Sequence, residues 1–314
     1  EGEDVPLFTY PERLGRWPAA AGIFAFAWTE LVSDIGAEPS KIALAVAIYT
    51  AIQFVGCLLF GSRIWIDRAE AFSAYFNLFA RVSPLQLRDR QVGVQAPLSA
   101  LAEWKPLRGG VGLLAVMIGT VTFDGASNGE LWASIVKALA PSSVNAAGVS
   151  DSVLLAGAGM SACVLIVLAF YALGISGVKS VAHAKQGETD LSRAFAHSLA
   201  PIAAAYAIAH YLNFLLFQGT DMLRVISDPL GRGSNYLGTA NTYYESLVIP
   251  SNTFWYVQIG IVIAGHVAAL VLAHDRALAL FGNAREAIRS QYYLLVVMIG
   301  FTSLALWLLS ESNR

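Results

Sequence analysis

The chain has 314 residues, a net charge of −2, 56% hydrophobic and only 13% charged residues, against roughly 45–50% apolar and about 25% charged in an average soluble domain. A soluble fold has no interior large enough for that surplus, and a near-neutral balance argues against nucleic acid as a partner. The two cysteines, Cys57 and Cys163, lie inside apolar blocks, so no disulfide framework or cysteine metal motif organises the chain.

Taken in order, the stretch from Glu1 to Arg16 is polar and lacks the basic, apolar and small-residue series of a signal peptide. A start at Glu1 reads as a trimmed N-terminus or as the later part of a longer chain, so the span count is a minimum. Apolar blocks of bilayer length then predict an all-α, polytopic transmembrane helix bundle, one domain over 1–314, with spans near 17–32, 42–60, 110–123, 152–177, 199–217, 254–273 and 292–309. Residues 17–32 and 110–123 are short, and 199–217 carries Tyr206, His210 and Asn213, polar groups that a span keeps only when they face the bundle interior. Between spans, 67–82 reads as an interfacial amphipathic helix, with Phe72, Tyr75, Phe76 and Phe79 opposite Glu70 and Asn77; a helix packed on the soluble side of the bundle is the other reading. Residues 131–139 are a shorter helix of the same kind, and 218–252 is a long turn-rich loop.

Seven spans sort the basic residues unevenly. The connections alternate so that Lys41, Lys137, Arg224, Arg232 and Arg314 fall on one side and all fifteen others on the opposite side. The richer side is expected to be cytoplasmic, which puts the N-terminus in, the C-terminus out and the 218–252 loop outside.

All five histidines follow residue 180, which raises the question of haem. His197 and His210 are separated by about 20 Å along a helix, His266 and His274 by about 12 Å, so their depths match at the cytoplasmic end and fail in the middle. That spacing disfavours haem. His197 and His274 read instead as a cytoplasmic-end pair of interfacial histidines. His210 and His266 lie deep among apolar residues. Tyr206, His210 and Asn213 share one helix face, Gln258 and His266 share another, and two such polar stripes on consecutive helices either hydrogen-bond across the interface or line a polar path.

The same topology collects acids outside. Glu30 and Asp124 sit within or at the end of apolar runs, and Asp228 opens a turn after the His210 helix. His210, Glu30, Asp124 and Asp228 are therefore candidate ligands for a divalent metal such as Zn, Mn or Cu, without any ligand-spacing motif. No Walker loop, nucleophile elbow or dinucleotide fingerprint occurs.

Two stretches, YPERLGRWPAA at Tyr10–Ala20 and AHSLAPIAAAYAIAHYLNFLLFQGTDMLRVISDPLG at Ala196–Gly231, with Gly265-His266 and Ala273-His274-Asp275-Arg276 beyond them, resemble a family of bacterial membrane proteins labelled fenitrothion hydrolase-like. The resemblance implies a place in the bacterial cytoplasmic (inner) membrane and organophosphate ester hydrolysis. Its chemistry would be a metal-bound water attacking phosphorus, with His197, His210, His266, His274 and Asp228 as residues to examine. The rival readings are a small-molecule or ion permease using the polar stripe, and a non-catalytic subunit of a membrane complex. The lipid bilayer is a partner in all three.

Overall fold

The structure, a computed structural model, describes residues 6–88, 91–104, 106–139, 151–181, 190–242, 251–281 and 283–311. It is an all-α bundle. The long helices are α1 (Trp17–Leu31), α2 (Pro39–Phe60), α6 (Gly110–Ser127), α8 (Asp151–Val181), α10 (Leu199–Ser227), α11 (Ser251–Leu280) and α12 (Ala284–Glu311). Short helices α3 (Ser62–Arg68), α4 (Ala71–Val82), α5 (Ser99–Ala102), α7 (Glu130–Leu139) and α9 (Leu191–Phe195) connect them. The expectation of helices at all seven apolar blocks matches this element order. Among the described residues six helices are long and apolar enough to cross a bilayer; α1 is the exception, at 15 residues.

Helix α1 is about 22 Å long at 1.5 Å per residue, against roughly 30 Å of hydrocarbon. Its packing nevertheless carries it beside α6 from end to end. At one end Arg16 donates its backbone N–H to the Arg108 carbonyl, and a Cβ on Gly112 would lie 2.6 Å from the Trp17 ring. At the other end Glu30 and Asp124 line the same cleft. The two helices run parallel and side by side, α1 being the shorter.

Helix α6 is the centre of the bundle. Eleven of its eighteen residues are buried, and it touches α1, α8, α10 and α12. Glycine makes the approach to α8 possible, because a Cβ on Gly119 would sit 2.6 Å from the Val164 Cα. The α10–α11 contact is equally close: a Cβ on Gly265 would meet the Ala205 Cβ at 2.3 Å and the Pro201 carbonyl oxygen at 2.9 Å. Helix α2 is the opposite case. Gly56 is its one buried residue, filled against by the Trp65 ring, and Leu44, Val46, Phe54 and Leu58 all face outward, as side chains in contact with lipid do.

Helix α4 packs on the bundle, the second of the two readings of 67–82, and the helix is interrupted at Ala69–Glu70 after α3. Gly61, at φ +83°, ends α2 and turns the chain straight into α3, so that Trp65 donates its indole N–H to Gln53. Glu70 then meets the Tyr49 hydroxyl, halfway along α2, while capping α4 through the N–H groups of Phe72 at 3.1 Å and Ser73 at 2.5 Å. Ala71, Ala74 and Leu78 are buried against the bundle, where α4 contacts α1 and α10. Of its aromatic face, Phe72, Tyr75 and Phe79 pack against the bundle and Phe76 is exposed.

Two further differences concern connections. Helix α10 runs to Ser227, ten residues past the expected end at 217, because Gln218, Asp221 and Arg224 are polar yet helix-compatible and Asp221 pairs with Arg224 at 3.5 Å. The expected loop is thus reduced to 228–250, of which 243–250 lie outside the described residues. An antiparallel pair of strands, β1 (Leu85–Arg88) and β2 (Gln91–Val94), was not anticipated; the alternation of apolar and polar residues in LQLR is its sequence signal.

Two measurements test this architecture. A membrane-impermeant thiol reagent is expected to label a cysteine introduced at Ser234 in intact cells and to spare one introduced at Gln86; the reverse pattern would overturn the topology. Gly265→Val should force α10 and α11 apart and lower stability by about 1–3 kcal/mol, read as a lower unfolding midpoint in detergent; an unchanged midpoint would show that the contact is not needed.

Candidate functional site

Helices α1, α4, α6 and α10 enclose a cleft of about 480 Å³, within the range of about 300–1,000 Å³ typical of small-molecule sites. Its walls are apolar and aromatic: Phe26 from α1, Phe72, Tyr75, Phe76 and Phe79 from α4, Met117 and Val121 from α6, and Tyr211 and Leu215 from α10. Phe26, Phe76, Ile208 and Leu215 form an exposed apolar rim, so in a bilayer the mouth opens toward lipid.

Polar groups gather at one end. Asp124, near the C-terminal end of α6, and Glu30, one residue from the end of α1, both line the cleft. Behind Asp124, His210 Nε2 lies 2.8 Å from Asp124 Oδ2, both side chains being about one-quarter to one-third exposed. Glu30 is within electrostatic reach of both. Thr120 also lines the cleft, but its hydroxyl donates to the Val116 carbonyl at 2.8 Å and leaves its oxygen as an acceptor. The imidazole ring packs edge-on against Tyr211 at 5.0 Å, which fixes its tilt. A carboxylate accepts only, so the Nε2 facing it carries the proton and the pair is a charge-assisted hydrogen bond or, with His210 protonated, an ion pair.

Three of the four residues expected to share a metal are thus brought together, and Asp228 is not among them. Its two carboxylate oxygens accept from the backbone N–H groups of Arg232 at 2.9 Å and Gly233 at 2.8 Å. Desolvation opposes the Asp228 charge, but the N–H groups of Arg232, Gly233 and Ser234 outweigh it and hold the carboxyl below its ordinary range. Asp228 organises its own turn. Among the described residues no three His, Cys, Asp or Glu side chains are arranged to hold a metal ion. His210 Nε2 and Asp124 Oδ2 face each other, leaving Asp124 Oδ1, His210 Nδ1 and Glu30 as the remaining donors of the set.

The expected polar stripes do face each other. Tyr206 and His266 lie 6.2 Å apart, ring to ring, and Phe301 of α12 packs on both. Gln258 donates to the Ala209 carbonyl at 2.9 Å, and His266 Nδ1 lies 2.8 Å from the Val262 carbonyl of its own helix. The Gln258 bond ties α11 to α10, whereas the His266 bond stays within α11. The side chain of Asn213 lies outside the described residues.

His197 is a correction. It was expected at the interface, but it is 1% exposed, with Nε2 3.3 Å from the Leu272 carbonyl, whereas His274 is exposed. The Ala-rich start of α10 lets α11 approach closely enough to bury the ring. The two histidines lie at the same end of the α10–α11 pair, one buried and one exposed.

The aromatic wall from α4 is the part of the site that sequence reasoning missed. Its helical spacing was visible, but lipid and protein walls select the same side chains. A thermodynamic cycle tests the polar end: Asp124→Asn and His210→Gln, singly and together, should give a coupling of about 0.5–2 kcal/mol in unfolding measurements. A double variant whose loss equals the sum of the two singles would show that the 2.8 Å contact contributes nothing. Comparisons with protein-family models, with curated proteins and with solved structures find no match to this chain, and its functional reading rests on this geometry.

Proposed function

We propose that this integral membrane protein is a small-molecule permease whose cleft takes up an apolar cation from the lipid in exchange for a proton. The observation that supports it is the pairing of two carboxylates, Glu30 and Asp124, with one histidine in a cleft otherwise walled by aromatic and aliphatic groups. In this reading a proton on the Glu30–Asp124 pair balances part of its charge when no cation is bound. A bound cation replaces that proton, and the faces of Phe72, Tyr75, Phe76 and Tyr211 add cation–π attraction. His210 acts here as a positioning residue, holding the Asp124 carboxylate at the polar end.

This reading gives a defined pH dependence. The protonated, empty site attracts cations weakly, so affinity rises with pH as the carboxylates ionise. Tetraphenylphosphonium is a suitable probe, being apolar and permanently charged. With the protein in lipid nanodiscs, binding should weaken as pH falls, and Glu30→Gln or Asp124→Asn should reduce affinity roughly tenfold or more, a factor that corresponds to about 1.4 kcal/mol. Absence of binding, or binding indifferent to both variants and to pH, would sink the proposal.

A second reading is ester hydrolysis, the activity implied by the resemblance to fenitrothion hydrolase-like proteins, and the Asp124–His210 contact favours it. With Nε2–H directed at Asp124, the imidazole keeps Nδ1 as its basic atom. Water loses a proton to Nδ1 as its oxygen bonds to phosphorus, the bond to the aryl oxygen breaks, and the departing phenolate recovers the proton. Release of nitrophenolate from a neutral aryl phosphotriester, lost in His210→Ala, would favour this reading over the permease. Metal bound stoichiometrically to the purified protein and lost in the same variant would return the expected divalent ion to the site.

A further inference from the structure

At the opposite end of α1 from the cleft, Arg16 is 3% exposed, and its Nε and Nη1 have no hydrogen-bond partner among the described residues. Its Nη2 is 3.7 Å from Asp67, a carboxylate that is half exposed, and its guanidinium lies 5.8 Å from the centre of the Trp104 ring. Arg81, at the end of α4, likewise has a buried Nε without a partner. Arg68, at the end of α3, lies over the Tyr10 ring at 5.9 Å. Arg68 and Arg81 are thus both within electrostatic reach of the buried Arg16, and buried N–H groups left unpaired are costly.

We propose that Arg16, Arg68 and Arg81 form a binding site for a phosphate group. Guanidinium groups offer planar forks of donors matched to phosphate oxygens, and the unpartnered atoms of Arg16 and Arg81 would be satisfied by such an acceptor. Asp67, half exposed and 3.7 Å from Arg16 Nη2, is beyond hydrogen-bond distance, whereas a phosphate brings more acceptors and more charge. Burial lowers the proton affinity of Arg16, Asp67 raises it, and the like charges of Arg81 and Arg68 lower it further; a bound anion would reverse that balance. The site also lies at the bundle end that carries the excess of basic residues, the side on which polybasic segments meet anionic headgroups. The phosphate is either that of an anionic lipid or a soluble one, and the two differ in how they reach the site.

The full chain in phosphatidylcholine nanodiscs provides the reference melting temperature. Adding inorganic phosphate, against chloride at equal ionic strength, tests a soluble ligand; replacing one-fifth of the lipid by phosphatidylglycerol tests a headgroup. At least one of the two is expected to raise the melting temperature by several degrees, and Arg68→Gln and Arg81→Gln to remove the rise. A shift with phosphatidylglycerol alone assigns a lipid, and a shift with inorganic phosphate assigns a soluble phosphate. No shift in either arm, or a full shift retained in both variants, overturns the proposal. Native mass spectrometry of the unmodified chain covers the case of a variant that fails to fold: phosphate or phosphatidylglycerol adducts no more persistent than phosphatidylcholine adducts would overturn it too.

Discussion

Within hydrocarbon, moving an apolar side chain from lipid to protein gains little, so helices associate through close packing and a few polar bonds. Helix α6 meets that constraint with small residues. Gly112 receives the Trp17 ring, Gly119 lies against the Val164 backbone, and Gly110 and Ala115 are buried as well. Because α6 is enclosed in this way, α1 and α10 are held at fixed positions on either side of Asp124, and the cleft keeps its shape. The substitution of a larger residue at either glycine would therefore move the site without touching any of its polar groups.

That rigidity matters for charge. A carboxylate on a loop would find water, whereas Asp124 and Glu30 are carried on helices whose neighbours are aromatic and aliphatic. The Asp124–His210 contact gives one carboxylate a partner; Glu30 shares the surroundings of both. A proton or a cation would balance the remaining charge, which is the basis of the exchange proposed for the cleft.

Sequence reasoning carried the bundle and part of the site for distinct reasons. Apolar blocks of bilayer length announce helices directly, and the placement of Glu30, Asp124 and His210 followed from alternation of the spans plus their depth within them. Asp228 was misjudged because proximity in sequence to α10 says nothing of which oxygens its own turn consumes; the following Pro229, Gly231 and Gly233 mark a turn, and its N–H groups take both oxygens. His197 was misjudged because a histidine near a helix end is equally at home in water or under a neighbouring helix, and Ala200, Ala203 and Ala204 beside it decide for burial. The α3–α4 hairpin was illegible for a further reason. Its position depends on Tyr49 meeting Glu70, a contact between residues that composition alone cannot pair.

The two proposed sites are also linked through the backbone. Helices α1 and α6 run parallel, with their N-terminal ends beside Arg16 and their C-terminal ends beside Glu30 and Asp124. A helix carries the equivalent of about half a positive charge at its N-terminus and half a negative charge at its C-terminus. Here those partial charges add to side chains of the same sign: arginines where the dipoles are positive, carboxylates where they are negative. Structural helix ends ordinarily show the reverse arrangement, because it is the stabilising one. Each end of the α1–α6 pair is thus built against its own electrostatics until a charge of opposite sign arrives, an anion at the Arg16 end and a cation or proton at the Glu30 end. In water the penalty would be screened. In a low-dielectric bundle it persists, and it would favour filling both proposed sites.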